Sequence, residues 1–356
     1  MFQYVPLALI VIVLLAWCID YINGFHDTAN AIATVVATGV LPAKYAIIMA
    51  AILNFTGALV GTSVATTIAK GLADGAQMVP AVVIAALLAA IFWDLLTWWF
   101  GIPSSTSHTL MGGLAGAVVA HAGLGALKWA KLREIAAFIV ISPALGFLVA
   151  AILIITILWI VRRMQVHKVN FAFRKLQLLS ASAMAFTHGQ NDAQKAMGVI
   201  CLGLITYGFL EPGVGKVAVP LWVKIGSALM MGAGTATGGW KIIKTLGHKI
   251  AKLKPIHGFA AETAAAMVLF TTAHFGIPVS TTHSISGAIM GVGATMNATA
   301  VRWGLAGNIF IAWLLTIPVS ALLAMTFYKT LIFVAPELKA NPRAEQVEMV
   351  RQHHHH

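Results

Sequence analysis

The chain has 356 residues; 59% are hydrophobic, only 10% are charged, and the mean hydropathy is +0.88. Soluble domains carry roughly 25% charged residues, so a water-soluble enzyme is excluded, and two cysteines cannot staple a chain of this size. A polytopic membrane protein remains. Its 23 basic and 11 acidic residues give a net charge of +12. The bases cluster between apolar runs, which suits loops at an anionic leaflet and gives no reason to expect nucleic acid as a partner.

The stretch from Val5 to Ile22 is too long for the hydrophobic part of a signal peptide and has no small-residue cleavage site, so it predicts a retained transmembrane helix. Further apolar runs follow near residues 43–69, 79–100, 105–122, 135–161, 176–187, 196–210, 217–238, 258–275, 280–296 and 304–335. A crossing needs about 20 apolar residues. Several runs are too short, too long or interrupted, which predicts broken or re-entrant helices. Polar breaks are expected at Asn23–Asn30, Pro103–His108, His188–Lys195 and Pro278–His283, where backbone must find partners other than lipid. Cys18 and Cys201 read as small buried hydrophobes. The closing Arg351-Gln352-His353-His354-His355-His356 reads as a purification-tag remnant.

Residues 162–175 carry Arg162, Arg163, Lys168, Arg174 and Lys175, and residues 241–254 carry Lys241, Lys244, Lys249, Lys252 and Lys254, with no acid in either segment. The positive-inside rule places both in the cytoplasm. The short Lys128–Glu134 segment is also net basic, yet one span separates it from 162–175, so span parity stays open at this point.

The chain repeats itself. Phe100-Gly101-Ile102-Pro103-Ser104-Ser105-Thr106-Ser107-His108 recurs as Phe275-Gly276-Ile277-Pro278-Val279-Ser280-Thr281-Thr282-His283, identical at seven of nine positions. Gly24 to Ala31 pairs with Gly189 to Ala196, which sets Asp27 on Asp192, and Gly61 to Thr66 resembles Gly232 to Thr237. Blocks in the same order at similar offsets indicate duplication. The division is a first transmembrane repeat over 1–161, a basic connecting loop over 162–175, a second repeat over 176–335 and a tail over 336–356. Residues 70–78 hold one Lys and one Asp where the matching 241–254 segment holds five Lys, and this charge contrast favours inverted repeats. Duplicated halves with interrupted helices are the mark of a secondary transporter, with its substrate held near the midplane.

Asp27 and Asp192 are costly in a membrane, by about 2.5–3.5 kcal/mol each on insertion scales, and need a partner or a wet cavity. For Asp192 an i,i+3 ion pair with Lys195 is one reading. The other, which fits both acids, is cation coordination by the carboxylates together with the amides of Asn30, Gln190 and Asn191 and backbone freed at a helix break. Pro103 and Pro278 each predict a helix starting one or two residues later. The unpaired first N–H groups of those helices, with the hydroxyls of Ser105, Thr106, Ser280 and Thr281, make an anion site that requires no buried Arg or Lys. Simple N-capping is the competing account. Glu262 could be a further cation ligand, a gate or an interfacial residue, and Asp94 faces the same choice. His108 and His283 are expected to hold the broken tips by hydrogen bonds, and His188 is a candidate anion contact.

The motifs Asp-Thr-Ala-Asn-Ala at 27–31, His-Gly-Gln-Asn-Asp-Ala at 188–193 and Pro-x-Ser-Thr-x-His at 103–108 and 278–283 together resemble the paired signatures of the inorganic phosphate transporter (PiT) family. The resemblance runs to about residue 335. It implies an all-α membrane fold of two inverted repeats with two re-entrant helical hairpins, no enzyme activity, and symport of inorganic phosphate with Na⁺ or H⁺. It further implies cation coupling at Asp27 and Asp192 with Asn30 and Asn191 alongside, phosphate at Ser105, Thr106, Ser280 and Thr281 with Gln190 nearby, and a counterpart for Glu262 among the family's acids. Amide ligands would be superfluous for a bare protonation site, which favours Na⁺. An H⁺-coupled phosphate or sulfate permease and an anion channel are the alternatives. Membrane lipid surrounds such a protein, and the family admits a homodimer. His26 stands where many members have an amide, and the long soluble insertion of larger members is absent.

Overall fold

The computed structural model describes residues 6–211 and 215–343; the tag-like end lies outside them. Among the described residues the regular structure is helical. The first half comprises α1 (Leu7–Ala37), α2 (Ala43–Ala58), α3 (Ser63–Ala69), α4 (Pro80–Phe100), α5 (Thr106–Ala122) and α6 (Trp129–Val161). The second comprises α7 (Val166–Thr206), α8 (Leu221–Thr237), α9 (Trp240–Lys244) with a π-helical turn at Thr245–Lys249, α10 (Pro255–His274), α11 (Thr281–Met296) and α12 (Trp303–Val334). Five of these (α1, α4, α6, α10 and α12) are long and apolar enough to cross a membrane, and α2 with α3, bent by 66°, forms a sixth candidate span.

The halves interlock. α1 packs on α8 and α7 on α2; α5 packs on α12 and α11 on α6. Glycines set the approach at equivalent places. A Cβ on Gly287 would stand 2.1 Å from the Pro143 carbonyl oxygen, and one on Gly112 would stand 2.7 Å from that of Ile317, next to Pro318. The prolines inside α6 and α12 thus face the glycine rows of α11 and α5, and small residues let backbone meet backbone.

Each proline-marked block is the tip of a helical hairpin. Gly101 and Gly276 end α4 and α10 with φ of 67° and 70°, a region costly for residues with a side chain. The hairpin bases are closed by single backbone bonds, Lys128 N–H to Leu72 O at 2.8 Å and Arg302 N–H to Ile250 O at 3.1 Å. α6 leads from the first base across the molecule to α7, where Phe173 packs edge-to-face on Phe259 near the start of α10, with ring centroids 5.4 Å apart. The two hairpins therefore enter from opposite faces, and the repeats are inverted.

Several expectations change. Asn23–Asn30 and His188–Lys195 are not breaks: both lie inside uninterrupted helices, α1 and α7, because their polar side chains find partners within the protein and the backbone stays paired. The break in this part of the first half falls instead between α2 and α3, at Gly61 with φ of 85°. Its counterpart is Gly238, with φ of 72°, so the Gly61–Thr66 match to Gly232–Thr237 does not survive: Gly232 sits within α8. The basic loop expected over 162–175 contracts to residues 162–165, and Lys168, Arg174 and Lys175 ride on α7. The 241–254 segment is not an open loop either. Ile242, Ile243, Leu246 and Ile250 are buried, and the Thr245 hydroxyl donates to the Gly101 carbonyl at 3.2 Å. In the other half, Thr67 of α3 donates to the Gly276 carbonyl at 2.7 Å.

The parity conflict also resolves. In the 128–134 segment, Lys131 bonds Glu134 at 2.9 Å and Lys128 lies 3.6 Å from Asp74, so its basic charge is largely balanced. The starts of α7 and α10, which carry unbalanced bases, share one face. Among the described residues two large hydrophobic clusters make up most of the core, with a small third at Ala69, Cys201 and Val217. Of the large two, one contains Ile19 and Ala193 and the other Ala29 and Ala185; the polar residues between those positions on α1 and α7 form a band that separates them.

Candidate functional site

The polar band gathers the paired acids. Asp27, His188 and Asp192, all buried, offer ligand atoms within 4.8 Å of one another. α1 and α7 carry them to the centre because Gly24 lies against Met231 of α8 and Gly189 against Asn54 of α2, each with no room for a Cβ. Asp192 is the more heavily engaged acid. Its Oδ1 lies 2.7 Å from Lys195 Nζ, while its Oδ2 accepts from Asn23 Nδ2 at 3.1 Å and from Thr281 Oγ1 at 3.3 Å. His188 Nε2 is 3.5 Å from the same Oδ2, and its Nδ1 meets Asn54 Oδ1 at 3.0 Å. The i,i+3 pairing with Lys195 is therefore present, in addition to the central cluster. Asp27 is held differently, by His26 Nδ1 at 2.7 Å.

Three amide oxygens near these acids, Asn23 Oδ1, Asn30 Oδ1 and Asn191 Oδ1, are buried without a hydrogen-bond partner, as is Asn191 Nδ2. Uncompensated burial of such atoms costs on the order of 1–3 kcal/mol each. A hard cation is the species that turns carboxylate and amide oxygens from a cost into ligands. With α1 and α7 unbroken, those ligands come from side chains, not from freed backbone.

The hairpin tips meet the same centre. Ser105 and Ser280 cap α5 and α11, their Oγ atoms accepting from the backbone N–H of His108 at 3.3 Å and His283 at 3.2 Å. Capping is thus real, and it leaves the N–H groups of Thr106, Ser107, Thr281 and Thr282 at the helix starts, where an anion is favoured. Asn30 Nδ2 donates to Thr281 Oγ1 at 3.2 Å and to Thr282 Oγ1 at 2.9 Å, which ties α1 to the second tip. The first tip is tied through His26: its Nε2 lies 3.2 Å from Thr97 Oγ1 and 3.3 Å from Ser104 Oγ, and those two hydroxyls are 2.8 Å apart. Trp313 Nε1 donates to the Pro103 carbonyl at 2.8 Å.

The remaining candidates separate into supports and outliers. Asp94 accepts from Thr109 Oγ1 at 3.1 Å, so it holds the first turn of α5 from α4. His108 and His283 face each other with centroids 4.9 Å apart, and His283 stacks on Trp313 at 3.9 Å. Gln190, half-buried on α7, leaves its Oε1 without a partner. Glu262 is not brought to the central acids. It accepts from Thr34 Oγ1 at 2.5 Å, from Gln177 Nε2 at 3.0 Å and from Ser180, a separate buried nest between α1, α7 and α10. Residue-by-residue reading missed Asn23 and Asp20. Asn23 carried a usable signal, since it is the repeat partner of His188.

This geometry can be set beside known proteins. The model of the phosphate transporter family matches residues 23–324. A probable low-affinity inorganic phosphate transporter of Rhizobium meliloti is 46% identical, the match covering 90% of this chain and 95% of that one. One of Bacillus subtilis is 44% identical over 90% of this chain and 96% of its own. Among solved structures, one described as the sodium-dependent phosphate transporter superposes with a TM-score of 0.84 at 24% identity, covering 92% of this chain and 100% of that one, which establishes likeness of fold.

Proposed function

The chain belongs to the phosphate transporter family of multi-pass cell-membrane proteins, and on that premise we propose that it is a secondary carrier moving inorganic phosphate together with Na⁺ by alternating access. The observation that carries the reading is contact between the two candidate sites. Thr281, at a helix start suited to an anion, donates to Asp192 Oδ2, while Asp192 and Asp27 converge on one candidate cation position.

Phosphate at the tips would be met by the first N–H groups of α5 and α11 and by the hydroxyls of Ser105, Thr106, Ser280 and Thr281, with Gln190 and Asn191 at hand. Na⁺ would take carboxylate oxygens from Asp27 and Asp192 and the partnerless amide oxygens of Asn30 and Asn191. Glu262, apart from these, would act on the cation only from its own nest. Each ion offsets the desolvation cost of the other, so neither binds well alone. That reciprocity is the coupling free energy of a symporter. The hairpins open to opposite faces, so movement of one repeat against the other would expose the centre to each side in turn. The sodium dependence in the description of the structural neighbour agrees with this choice of cation.

H⁺ in place of Na⁺ is the second reading, favoured by one observation: the imidazole of His26 lies 2.7 Å from Asp27, where a proton could be shared. Purified protein in proteoliposomes, with Na⁺ and pH gradients imposed separately, distinguishes the two. Phosphate uptake that follows the Na⁺ gradient at equal pH supports Na⁺ symport; uptake that ignores it and follows pH rejects it.

A further inference from the structure

The duplication sets the same acid in unlike company. Three residues after Asp27 stands Asn30; three residues after Asp192 stands Lys195. Asn30 turns its amide toward Thr281 and Thr282, so Asp27 has no lysine or arginine at the equivalent place on its own helix; its neighbour there is the imidazole of His26, at 2.7 Å. Lys195 does the opposite. It is 2% exposed, and its ammonium lies 2.7 Å from Asp192 Oδ1.

We propose that Lys195 is a tethered coupling cation: its ammonium holds at Asp192 the place that a mobile cation takes at Asp27, so the carrier moves one mobile cation per phosphate where two symmetric acid sites would move two. The inference rests on the symport reading and concerns its stoichiometry. Counted over the pair alone, Asp27 and Asp192 carry two negative charges and Lys195 returns one positive charge, so one monovalent cation suffices where the pair without the lysine would need two. The lysine makes its closest contact with Oδ1. Oδ2 faces Asn23, Thr281 and His188 and stays available to the shared position beside Asp27. Asp27 and Asp192 offer ligand atoms within 4.8 Å of one another, so removal of the ammonium would leave two buried acids facing each other without it.

A purely structural ion pair is a poor account of Lys195. Dehydrating an ammonium and a carboxylate consumes most of what their attraction returns, and an apolar pair of similar volume would stabilise the fold as well or better. The lysine also sits where substrate and cation meet, not at the edge of a helix bundle.

The test compares wild type, K195N and K195R in proteoliposomes. It measures initial phosphate uptake against Na⁺ concentration at fixed pH, uptake against H⁺ concentration at fixed Na⁺, and the ratio of radiolabelled sodium to phosphate flux. Wild type is expected to depend on its driving cation to first order. K195N, which copies the first half, should steepen to an order of about two and raise the phosphate half-saturation at limiting cation at least about tenfold. K195R, which keeps the charge, should stay first order. An unchanged order and half-saturation in K195N would overturn the proposal and reduce Lys195 to a structural partner. A second-order dependence or a two-to-one flux ratio in wild type would overturn it without any variant, so the proposal stays testable if K195N does not fold. Wild-type vesicles that take up no phosphate under either gradient would overturn the symport reading and this proposal with it; active wild type with an unchanged K195N overturns the proposal alone.

Discussion

The hydroxyl of Ser107, on the first hairpin, donates to the carbonyl of Val279, on the second, at 2.9 Å. Two hairpins that enter from opposite faces are thus joined at their tips, beside the acids of α1 and α7. Neither tip can move away from the other without breaking this bond.

Ser107→Ala removes that link and no charge. A neutral hydrogen bond of this kind contributes about 1 kcal/mol, so the half-saturation for phosphate should rise about fivefold, measured as initial uptake into proteoliposomes. A half-saturation equal to that of wild type would mean that the tips are held together by packing alone.

Asn30→Ala should cost more. Its amide bonds both Thr281 and Thr282, so the second tip loses its tie to α1. Two such bonds amount to about 2 kcal/mol, which corresponds to a rise of about thirtyfold in phosphate half-saturation. Asn30→Gln, with the amide one methylene too far out, should recover little of it.

Gly287→Ala tests the interlocked halves. The added Cβ would stand 2.1 Å from the Pro143 carbonyl oxygen, so α6 must move away from α11. Overpacking of this kind costs about 1–3 kcal/mol and should lower the melting temperature in detergent by several degrees. Gly304→Ala, with nothing within 4 Å of the new Cβ, should leave it unchanged.

Glu262→Ala strands the hydrogen-bond donors of Thr34, Gln177 and Ser180 in a buried nest. The expected loss of stability is about 3 kcal/mol or more, read as a fall in the thermal midpoint. A midpoint equal to that of wild type would show that these donors find other partners when the carboxylate is gone.

Much of this centre was legible in the sequence because duplication prints each element twice. The Pro103 and Pro278 blocks located both tips, and the Asp27–Asp192 pairing located the two acids that meet at the centre, since a charge in an apolar run has few innocent explanations. What the sequence hid were tertiary partners. Polarity at Asn23–Asn30 suggested a broken helix, but Asn23, His26 and Asn30 each find a partner on α7, α4 or a hairpin tip while the helix backbone stays paired. The bases of 241–254 looked like an open loop because hydropathy does not register the buried Ile242, Ile243 and Leu246 beside them. Glu262 gave no sign in the sequence of its donors, which come from distant segments of α1 and α7, or of its place apart from the central acids.

The most direct measurement is phosphate accumulation by D27N/D192N in proteoliposomes, under the same inward Na⁺ gradient as wild type and after both proteins elute as single species from size exclusion. With both carboxylates neutral, the centre has no anchor for a mobile cation, and internal phosphate should rise no higher than the external concentration. Accumulation by the double variant to the wild-type level would show that neither acid couples the cation to the anion.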